Sequence, residues 1–197
     1  MPPKAKFTRK EIINAALNII RRNGVDSLTA RALGSELESS PRPIFTVFQN
    51  MEEVQSEAVQ AARDEYNAYI KRALSIDSPE EHRFKNVGKQ YILFALNEPK
   101  LFQLLFMREK KDAPDIAGIL PVIDDNYVEI LESIKKEYGL SDSLSKKLYS
   151  HLWIYTHGIA SLCATKTCHF TGKQIGEMIT EVCLSLLKRW REEAIND

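Results

Sequence analysis

An arginine between two prolines, Pro41-Arg42-Pro43, is the first stretch whose residue types could bind a charged ligand. Two prolines this close argue against a helix interior, yet the apolar and aromatic stretch IFTVF follows at once. Proline is tolerated in the first helical turn, because the N–H that it lacks would have no acceptor there. With Ser40 as N-cap, the three residues would occupy the first three helical positions. We therefore predict that Arg42 projects from a helix N-terminus toward an anion such as phosphate.

A second group with chemical potential is Cys163, Cys168 and His169. Their C-x4-C-H spacing matches no strong zinc pattern, and a structural zinc site needs four ligands. Lys173 follows Gly172, but the other residues of a phosphate-binding loop are absent. No convincing nucleophile–base–acid set and no metal-binding pair on one helical turn stands out. We expect no metal, no cofactor and no enzymatic activity.

The composition is that of a soluble globular protein. The 197 residues are 44% hydrophobic and 27% charged, enough for one or two small domains with a core. The longest apolar runs, YILFAL and LLFM, fall far short of the ~20 residues of a membrane span. The basic N-terminus precedes no apolar signal region, and three cysteines form no disulfide framework. We expect a cytoplasmic protein without a membrane partner.

Charge is unevenly placed along a chain whose net charge is zero. Residues 1–50 carry eight Lys/Arg and four Asp/Glu, which gives +4, so the remaining residues carry −4. A basic head on an acidic body indicates that only the head meets a polyanion. A difference of this size also arises by chance, and charge alone leaves both interpretations open.

The apolar residues recur at helical spacing, and no long stretch alternates with period two, which predicts an all-α protein. Thr8 and Glu11 form a capping box, Gly24 is a predicted αL cap, and Thr29 opens a second helix. Further boundaries are predicted at Asn50, Ser78-Pro79, Asn97-Glu98-Pro99, Gly139, Ser141 and Thr171 or Gly172. Residues 117–138 are predicted to be helical, with Pro121 as a start or a kink.

The first three predicted helices are short, and about three or four residues join the second to the third. This is the helix-turn-helix arrangement, whose second helix enters the DNA major groove by its N-terminal end. Ile44, Phe45 and Phe48 are predicted to face inward and to tie that helix to the first two. We predict a DNA-binding domain at 1–50 and a ligand-binding and dimerisation domain at 51–197.

Residues 7–54 resemble the DNA-binding head of the tetracycline-repressor (TetR) family. The resemblance lies in the apolar first helix ending in NG, in Thr29, in PIFTVF and in the acidic pair before Val54. Where the family commonly has Gly in the helix-turn-helix turn, this chain has Glu38. The later stretch WIYTHGIA (153–160) resembles a Trp…His-Gly signature of one branch of TetR-type ligand domains.

The resemblance implies a homodimeric repressor that binds double-stranded DNA. It also implies that the C-terminal helices form a four-helix dimer interface and enclose a small-molecule pocket. Residue types and positions give the predicted DNA-binding set Lys6, Thr29, Arg31, Ser40, Pro41, Arg42, Pro43, Phe45 and Thr46. A terminal helix carries the apolar stripe Ile175, Met178, Ile179, Val182, Leu186 and Trp190. We expect that a monomer would expose Ile175, Ile179, Val182 and Leu186 of this stripe. We predict that this stripe forms the dimer interface.

The middle helices offer aromatic residues and few clustered charges, which favours an apolar or amphipathic effector. Candidate effector-binding residues are Tyr66, Phe94, Phe106, Tyr127, Trp153 and His157. Trp153 and His157 share a helix face, and a packed pair within the protein is the alternative to ligand contact. A TetR-like fold that serves as a protein-interaction module, with weakened DNA binding, is the competing function.

Overall fold

The computed structural model describes residues 5–75, 83–109 and 112–196. Their regular structure is helical and contains no strand, which confirms the predicted all-α class. The α-helices are α1 (Arg9–Asn23), α2 (Ala30–Glu36), α3 (Met51–Leu74), α4 (Arg83–Asn97), α5 (Pro99–Phe106), α6 (Ile116–Ile123), α7 (Tyr127–Tyr138), α8 (Asp142–Ala164) and α9 (Gly172–Asn196). Two short 3-10 helices cover Val25–Ser27 and Ile44–Thr46.

The chain forms two compact units. Unit 1 comprises Met1–Tyr66 with Glu98–Arg108, and unit 2 comprises Asn67–Asn97 with Glu109–Asp197. Helix α3 is continuous across the boundary between Tyr66 and Asn67, so compactness divides the chain elsewhere than at residue 50. The predicted functional division at residue 50 stays a prediction.

Local sequence signals set the ends of the helices in unit 1. The capping box is confirmed, because Glu11 N–H donates to Thr8 Oγ1 at 3.2 Å and Thr8 N–H donates to Glu11 Oε2 at 2.7 Å. Thr29 caps α2 by accepting from the N–H of Ala32 at 3.1 Å. Gly24 has φ 85° and ψ 170°, so it ends α1 with a positive φ but not in the predicted αL conformation.

The core of unit 1 is apolar and is built from α1, α2 and the first part of α3. The fully or nearly fully buried side chains are Ile12, Ala16, Leu17, Ile20, Leu33, Ile44, Phe48, Val54, Ala58 and Ala62. They recur at helical spacing along α1 and α3, as the sequence predicts. Ile44 and Phe48 bring the segment after the turn onto this core.

The turn after α2 passes directly over Gly34. A Cβ at Gly34 would lie 3.0 Å from Pro41 N and Ser39 O, and the backbone N–H of Ser39 donates to the Gly34 carbonyl at 2.8 Å. Only glycine therefore permits this close approach. Glu38, immediately before this contact, has φ 49°, a left-handed conformation that costs a residue with a Cβ.

The predicted third helix is shorter than expected, and its α-helical assignment is wrong. Ile44–Thr46 forms a 3-10 helix, with N–H groups of Ile44 and Thr46 donating to the carbonyls of Pro41 and Pro43. Proline at 41 and 43 leaves too few donors and too short a segment before Asn50 for several α-helical turns. Arg42 therefore lies in a tight turn and not at the second position of an α-helix.

Unit 2 packs α4, α7, α8 and α9 around an apolar core, in which α4 and α8 are neighbours. Gly139 ends α7 in the predicted αL conformation (φ 66°), and Ser141 caps α8 through the N–H of Leu144. The predicted helical stretch 117–138 is two helices, because Asp124–Asn126 separates α6 from α7 and Pro121 lies inside α6. The predicted helix start at Ser78-Pro79 lies outside the described residues.

The apolar stripe of α9 is partly buried within the single chain. Ile175, Ile179 and Trp190 are buried, whereas Met178, Val182 and Leu186 are half-buried. The prediction that a monomer would expose Ile175 and Ile179 is therefore wrong. The strongly exposed apolar side chains of α8 and α9 include Ile154 (54%) and Leu184 (59%), which lie outside that stripe.

Replacing Glu38 by glycine should stabilise the protein by about 1 kcal/mol, because glycine adopts a positive φ without the steric cost that a Cβ brings. Urea unfolding of Glu38→Gly measures the gain. Ser35→Gly, at an exposed position inside α2, is the control and should lower the free energy of unfolding, since glycine weakens a helix interior. Equal destabilisation by both changes would contradict a strained Glu38.

Candidate nucleic-acid interface and effector site

The nine residues predicted to bind DNA all belong to unit 1. Lys6, Thr29, Arg31, Ser40, Arg42, Phe45 and Thr46 are exposed, and Pro41 and Pro43 are half-buried. Phe45 is 43% exposed, so the prediction that it faces inward with Ile44 and Phe48 is wrong. The 3-10 geometry turns Phe45 outward, because one side chain every third residue faces the core and Ile44 already does so.

The five arginines of residues 9–48 fall into two groups. Arg9, Arg21 and Arg22 are ion-paired with glutamates. Arg31 and Arg42 are exposed and, within the described part of the chain, bind no carboxylate. Arg31 lies near the start of α2 and Arg42 lies in the turn that follows α2, so both exposed arginines belong to the helix-turn-helix.

The hydroxyl groups near this turn already have partners inside the chain. Thr46 Oγ1 donates to the Pro43 carbonyl at 2.7 Å, and Thr29 Oγ1 accepts from Ala32. Lys6 Nζ donates to Ser39 Oγ at 3.0 Å, which holds the N-terminal lysine beside the turn. Thr29 and Thr46 can still accept a second hydrogen bond, whereas the ammonium of Lys6 keeps two further donors.

Arg9 is an exposed residue that links α1 to the segment after the turn and to α3. Its guanidinium donates to the Val47 carbonyl at 3.0 Å and to Glu53 at 2.6 Å, also binds Glu57, and lies 4.2 Å from the centre of the Phe48 ring. The hydrogen bonds that Arg9 donates to Glu57 and Glu53 raise the pKa of Arg9 well above its ordinary value. The sequence gives no local signal of this role, since the partners lie 38 to 48 residues away.

The six predicted effector-binding residues are divided between the two units. Tyr66 and Phe106 belong to unit 1 and meet edge-to-face with ring centroids 5.0 Å apart. Phe94, Tyr127, Trp153 and His157 belong to unit 2, where Phe94 is fully buried and packs on Tyr69. Tyr66 is also buried, so these two rings serve the core.

Trp153 and His157 do form the aromatic pair that their spacing predicts. Their rings stack 4.8 Å apart at an angle of 15°, and both side chains are half-buried. His157 Nδ1 lies 2.8 Å from the Tyr91 hydroxyl, a partner that the sequence does not reveal. Burial lowers the pKa of His157 below its ordinary value, so the imidazole is neutral at neutral pH.

A buried carboxylate lies in the same unit. Asp124 is 2% exposed and accepts from the Tyr149 hydroxyl at 3.1 Å and from the Asn126 N–H at 3.0 Å. Burial raises the pKa of Tyr91 and of Tyr149 well above the ordinary value, and the Asp124 charge adds to both shifts. Each tyrosine therefore stays protonated and can donate a hydrogen bond to a buried acceptor.

Two open grooves of unit 2 carry charged residues. The first, of about 410 Å³, is lined by residues that include Lys71, Arg83, Glu129, Glu132 and Lys136. The second, of about 400 Å³, is lined by residues that include Lys85, Lys89, Lys173, Glu177 and Glu181. None of the six predicted effector residues lines either groove.

The thiols of Cys163, Cys168 and Cys183 are free, and only Cys168 is exposed. Burial raises the pKa of the Cys163 and Cys183 thiols. Within residues 5–75, 83–109 and 112–196, no group of three or more His, Cys, Asp or Glu side chains is placed to hold a metal ion. In the same residue ranges, no helix is long and hydrophobic enough to cross a membrane.

No protein-family model matches the chain, and no curated protein matches its sequence. Solved structures share its fold. A protein of unknown function from Rhodococcus sp. RHA1 is 20% identical, with a TM-score of 0.67 over 95% of this chain and 96% of its own. A structure from Vibrio parahaemolyticus, described provisionally as a TetR-family transcriptional regulator, is 14% identical, with a TM-score of 0.61 over 90% and 97%. The chain is thus an all-α protein whose fold is similar to that of a TetR-type regulator.

His157 should make the protein less stable in acid. Its pKa is lower in the folded than in the unfolded state, so the unfolded chain binds the proton more tightly. The cost is absent above the ordinary value of about 6.5 and grows as the pH falls below it. Between pH 7 and pH 5, His157→Gln should therefore lose less thermal stability than wild type.

Thermal unfolding followed by circular dichroism at several pH values measures this slope. The control is His151→Gln, an exposed imidazole on the same helix. An equal change of slope in both variants would show that the effect does not come from the buried position of His157.

Proposed function

We propose that this protein is a DNA-binding transcriptional regulator, a homodimeric repressor that a small apolar or amphipathic effector releases from its operator. The observation that carries the proposal is the pair of exposed arginines, Arg31 and Arg42, which bind no carboxylate within the described residues. They lie at a helix-turn-helix whose other arginines are ion-paired. Likeness of fold to the Vibrio parahaemolyticus structure supports the same class.

DNA binding would use the turn side of unit 1. Arg42 would reach a base edge or a phosphate, and Arg31 and Lys6 would neutralise phosphates on either side. Thr29, Ser40 and Thr46 offer hydroxyls to the phosphate backbone, and Phe45 offers an apolar edge beside a thymine methyl or a sugar. Two copies would place two such turns about 34–36 Å apart in successive major grooves.

The homodimer would form through α8 and α9. Ile154 and Leu162 on α8 and Leu184 on α9 are exposed by 54%, 38% and 59%. Exposed apolar side chains on neighbouring helices are typical of a protein interface. Gly158 supports close approach of a second helix, because a Cβ there would contact nothing within 4 Å in the single chain.

The effector would bind in unit 2, where the half-buried Trp153–His157 stack offers an aromatic face. The Tyr91 hydroxyl and the imidazole supply polar groups beside it. An apolar or amphipathic molecule fits such a lining. By binding one dimer shape more tightly than another, it would shift the population away from the spacing that DNA requires.

One observation favours the competing function, a protein-interaction module. Phe45 is an exposed aromatic residue on the turn, and aromatic residues are enriched at protein–protein interfaces. DNA binding by the wild-type protein discriminates between the two functions, because only the transcriptional regulator is expected to bind an operator.

Arg42→Ala should leave the fold intact, because the side chain is exposed and bears no ion pair. Binding to an operator from the flanking genomic DNA should weaken by about 1–3 kcal/mol if Arg42 makes a bidentate base contact. If Arg42 binds only phosphate, operator and scrambled DNA should weaken alike, and the slope of log K against log salt should fall by roughly 0.9 per contact. Fluorescence anisotropy at several salt concentrations measures both.

Arg191→Ala is the matched control, since it removes one exposed arginine from α9, away from the turn. It should bind both DNAs as wild type does. Failure of the wild-type protein to bind any flanking DNA, or equal affinity of wild type and Arg42→Ala for every DNA, would favour the interaction module.

Sedimentation velocity at micromolar concentration should show a dimer. The double change Ile154→Glu with Leu184→Glu should raise the dimer dissociation constant at least tenfold, about 1.4 kcal/mol, because it buries charges in the proposed interface. Its helical content should stay unchanged, as both positions are exposed in the single chain. Val122→Glu, at a position 58% exposed on α6, is the control and should remain dimeric. A wild-type monomer would contradict the proposed interface.

A further inference from the structure

Arg21, near the end of α1, binds two glutamates that are far apart in the sequence. Its Nη2 donates to Glu65 on α3 at 2.6 Å, and its Nε donates to Glu98 at 2.9 Å. The three side chains are only 21% to 35% exposed. Burial lowers the pKa of Arg21, but the hydrogen bonds that Arg21 donates to Glu65 and Glu98 outweigh this effect, and the pKa is raised.

Both glutamates lie where the chain passes from one compact unit to the other. Glu65 is two residues before Asn67, the first residue of unit 2 on α3. Glu98 follows Asn97, which is the last residue of α4 and of the first segment of unit 2. The chain returns to unit 1 at Glu98. One guanidinium thus holds the departing helix and the returning segment at their ends in unit 1.

The neighbouring contacts make these two positions firm. Tyr66, beside Glu65, is buried and packs on Phe106 of α5, and Phe106 also packs on Phe102 with centroids 5.1 Å apart. Glu98 immediately precedes α5, whose first helical residue is Pro99. A displacement of either chain segment would therefore have to break a fork of charged hydrogen bonds and move packed rings.

The other ion-paired arginines of unit 1 are placed differently. Arg22, the next residue, pairs with Glu36 on α2, and Arg9 pairs with Glu53 and Glu57. None of these partners is within five residues of a unit boundary. Arg22 is therefore a matched control for the loss of an arginine at the same end of α1.

We propose that Arg21 is the coupling residue of this protein, which through Glu65 and Glu98 makes the state of unit 1 depend on the state of unit 2. As the route by which an effector would control DNA binding, this role rests on the proposed function. The coupling itself is a property of the chain and is measurable without DNA. Arginine suits the role because its planar fork binds two carboxylates at once, which lysine cannot do in a fixed geometry.

The experiment perturbs unit 2 and measures unit 1. Tyr149→Phe removes the hydroxyl that donates to the buried Asp124, which loosens unit 2. Hydrogen exchange of the backbone amides of residues 30–48, followed by mass spectrometry, measures opening in unit 1. The change is introduced into the wild-type, Arg21→Gln and Arg22→Gln chains, and its effect is compared among the three as in a double-mutant cycle.

Tyr149→Phe should accelerate exchange in residues 30–48 roughly fivefold or more in the wild-type and Arg22→Gln chains, the lower end of common allosteric couplings. In the Arg21→Gln chain the acceleration should be lost. A merely structural role of Arg21 would raise the exchange of unit 1 but leave its response to Tyr149→Phe unchanged. An equal response in the Arg21→Gln and Arg22→Gln chains, or none in wild type, would overturn the proposal.

If Arg21→Gln reduces helical content, Glu98→Gln is used in its place, because it keeps the Arg21–Glu65 pair and breaks only the contact with the returning segment. The response of residues 30–48 should then fall below that of wild type, and an unchanged response would overturn the proposal. Absence of DNA binding with a normal exchange response would refute the proposed function and leave the coupling standing.

Discussion

The contact of the Ser39–Pro41 backbone with Gly34 is the constraint on which the geometry of the helix-turn-helix depends. Backbone atoms of the turn lie 3.0–3.1 Å from the position that a Cβ would take, so the chain reverses directly against α2. This approach forces Glu38 into a left-handed conformation and delivers Pro41 at the start of the next segment. Because proline fixes its own φ, Pro41 and Pro43 restrict the backbone on both sides of Arg42. The prolines thus act by rigidity in a tight turn and not by opening a long helix.

Pairing within unit 1 converts a diffuse positive charge into a local one. Arg9, Arg21 and Arg22 have glutamate partners. Their ion pairs link α1 to α2, to α3 and to the start of α5. Within residues 9–48, the arginines that bind no carboxylate in the described part of the chain are Arg31 and Arg42. A charge count over residues 1–50 could not distinguish these uses, because four of the partner glutamates lie beyond residue 50 and the count omits them. A polyanion would therefore be bound by the arginines that have no carboxylate partner, and the net charge of +4 does not identify them.

Local signals were sufficient for the helix ends and for the all-α class, because capping by Thr8, Thr29 and Ser141 involves residues three positions apart. Side-chain direction after the turn was not predictable, since it depends on whether Ile44–Thr46 winds as a 3-10 or an α-helix. An α-helix predicts that Phe45 faces inward, whereas in the structure Phe45 faces solvent. The stacking of Trp153 on His157 followed from their spacing, but the bond to Tyr91 joins residues 66 apart. The same holds for Asp124, whose burial depends on donors from two other residues that no periodic pattern identifies.

Likeness of fold at 14% and 20% identity carries the architecture and leaves function to the surface. A helical scaffold of this kind presents whatever side chains the turn bears, and its core residues would be the same for a DNA reader and for a protein-interaction module. The discriminating feature is the state of the exposed groups. Surface arginines that bind no nucleic acid are free to form ion pairs with glutamates. Glutamates already bind three other arginines of unit 1 in this way. Arg31 and Arg42 do stay unpaired beside a rigid turn, while the one exposed aromatic ring there could serve either function. These arginines supply the positive charge on which the proposed binding to phosphate depends.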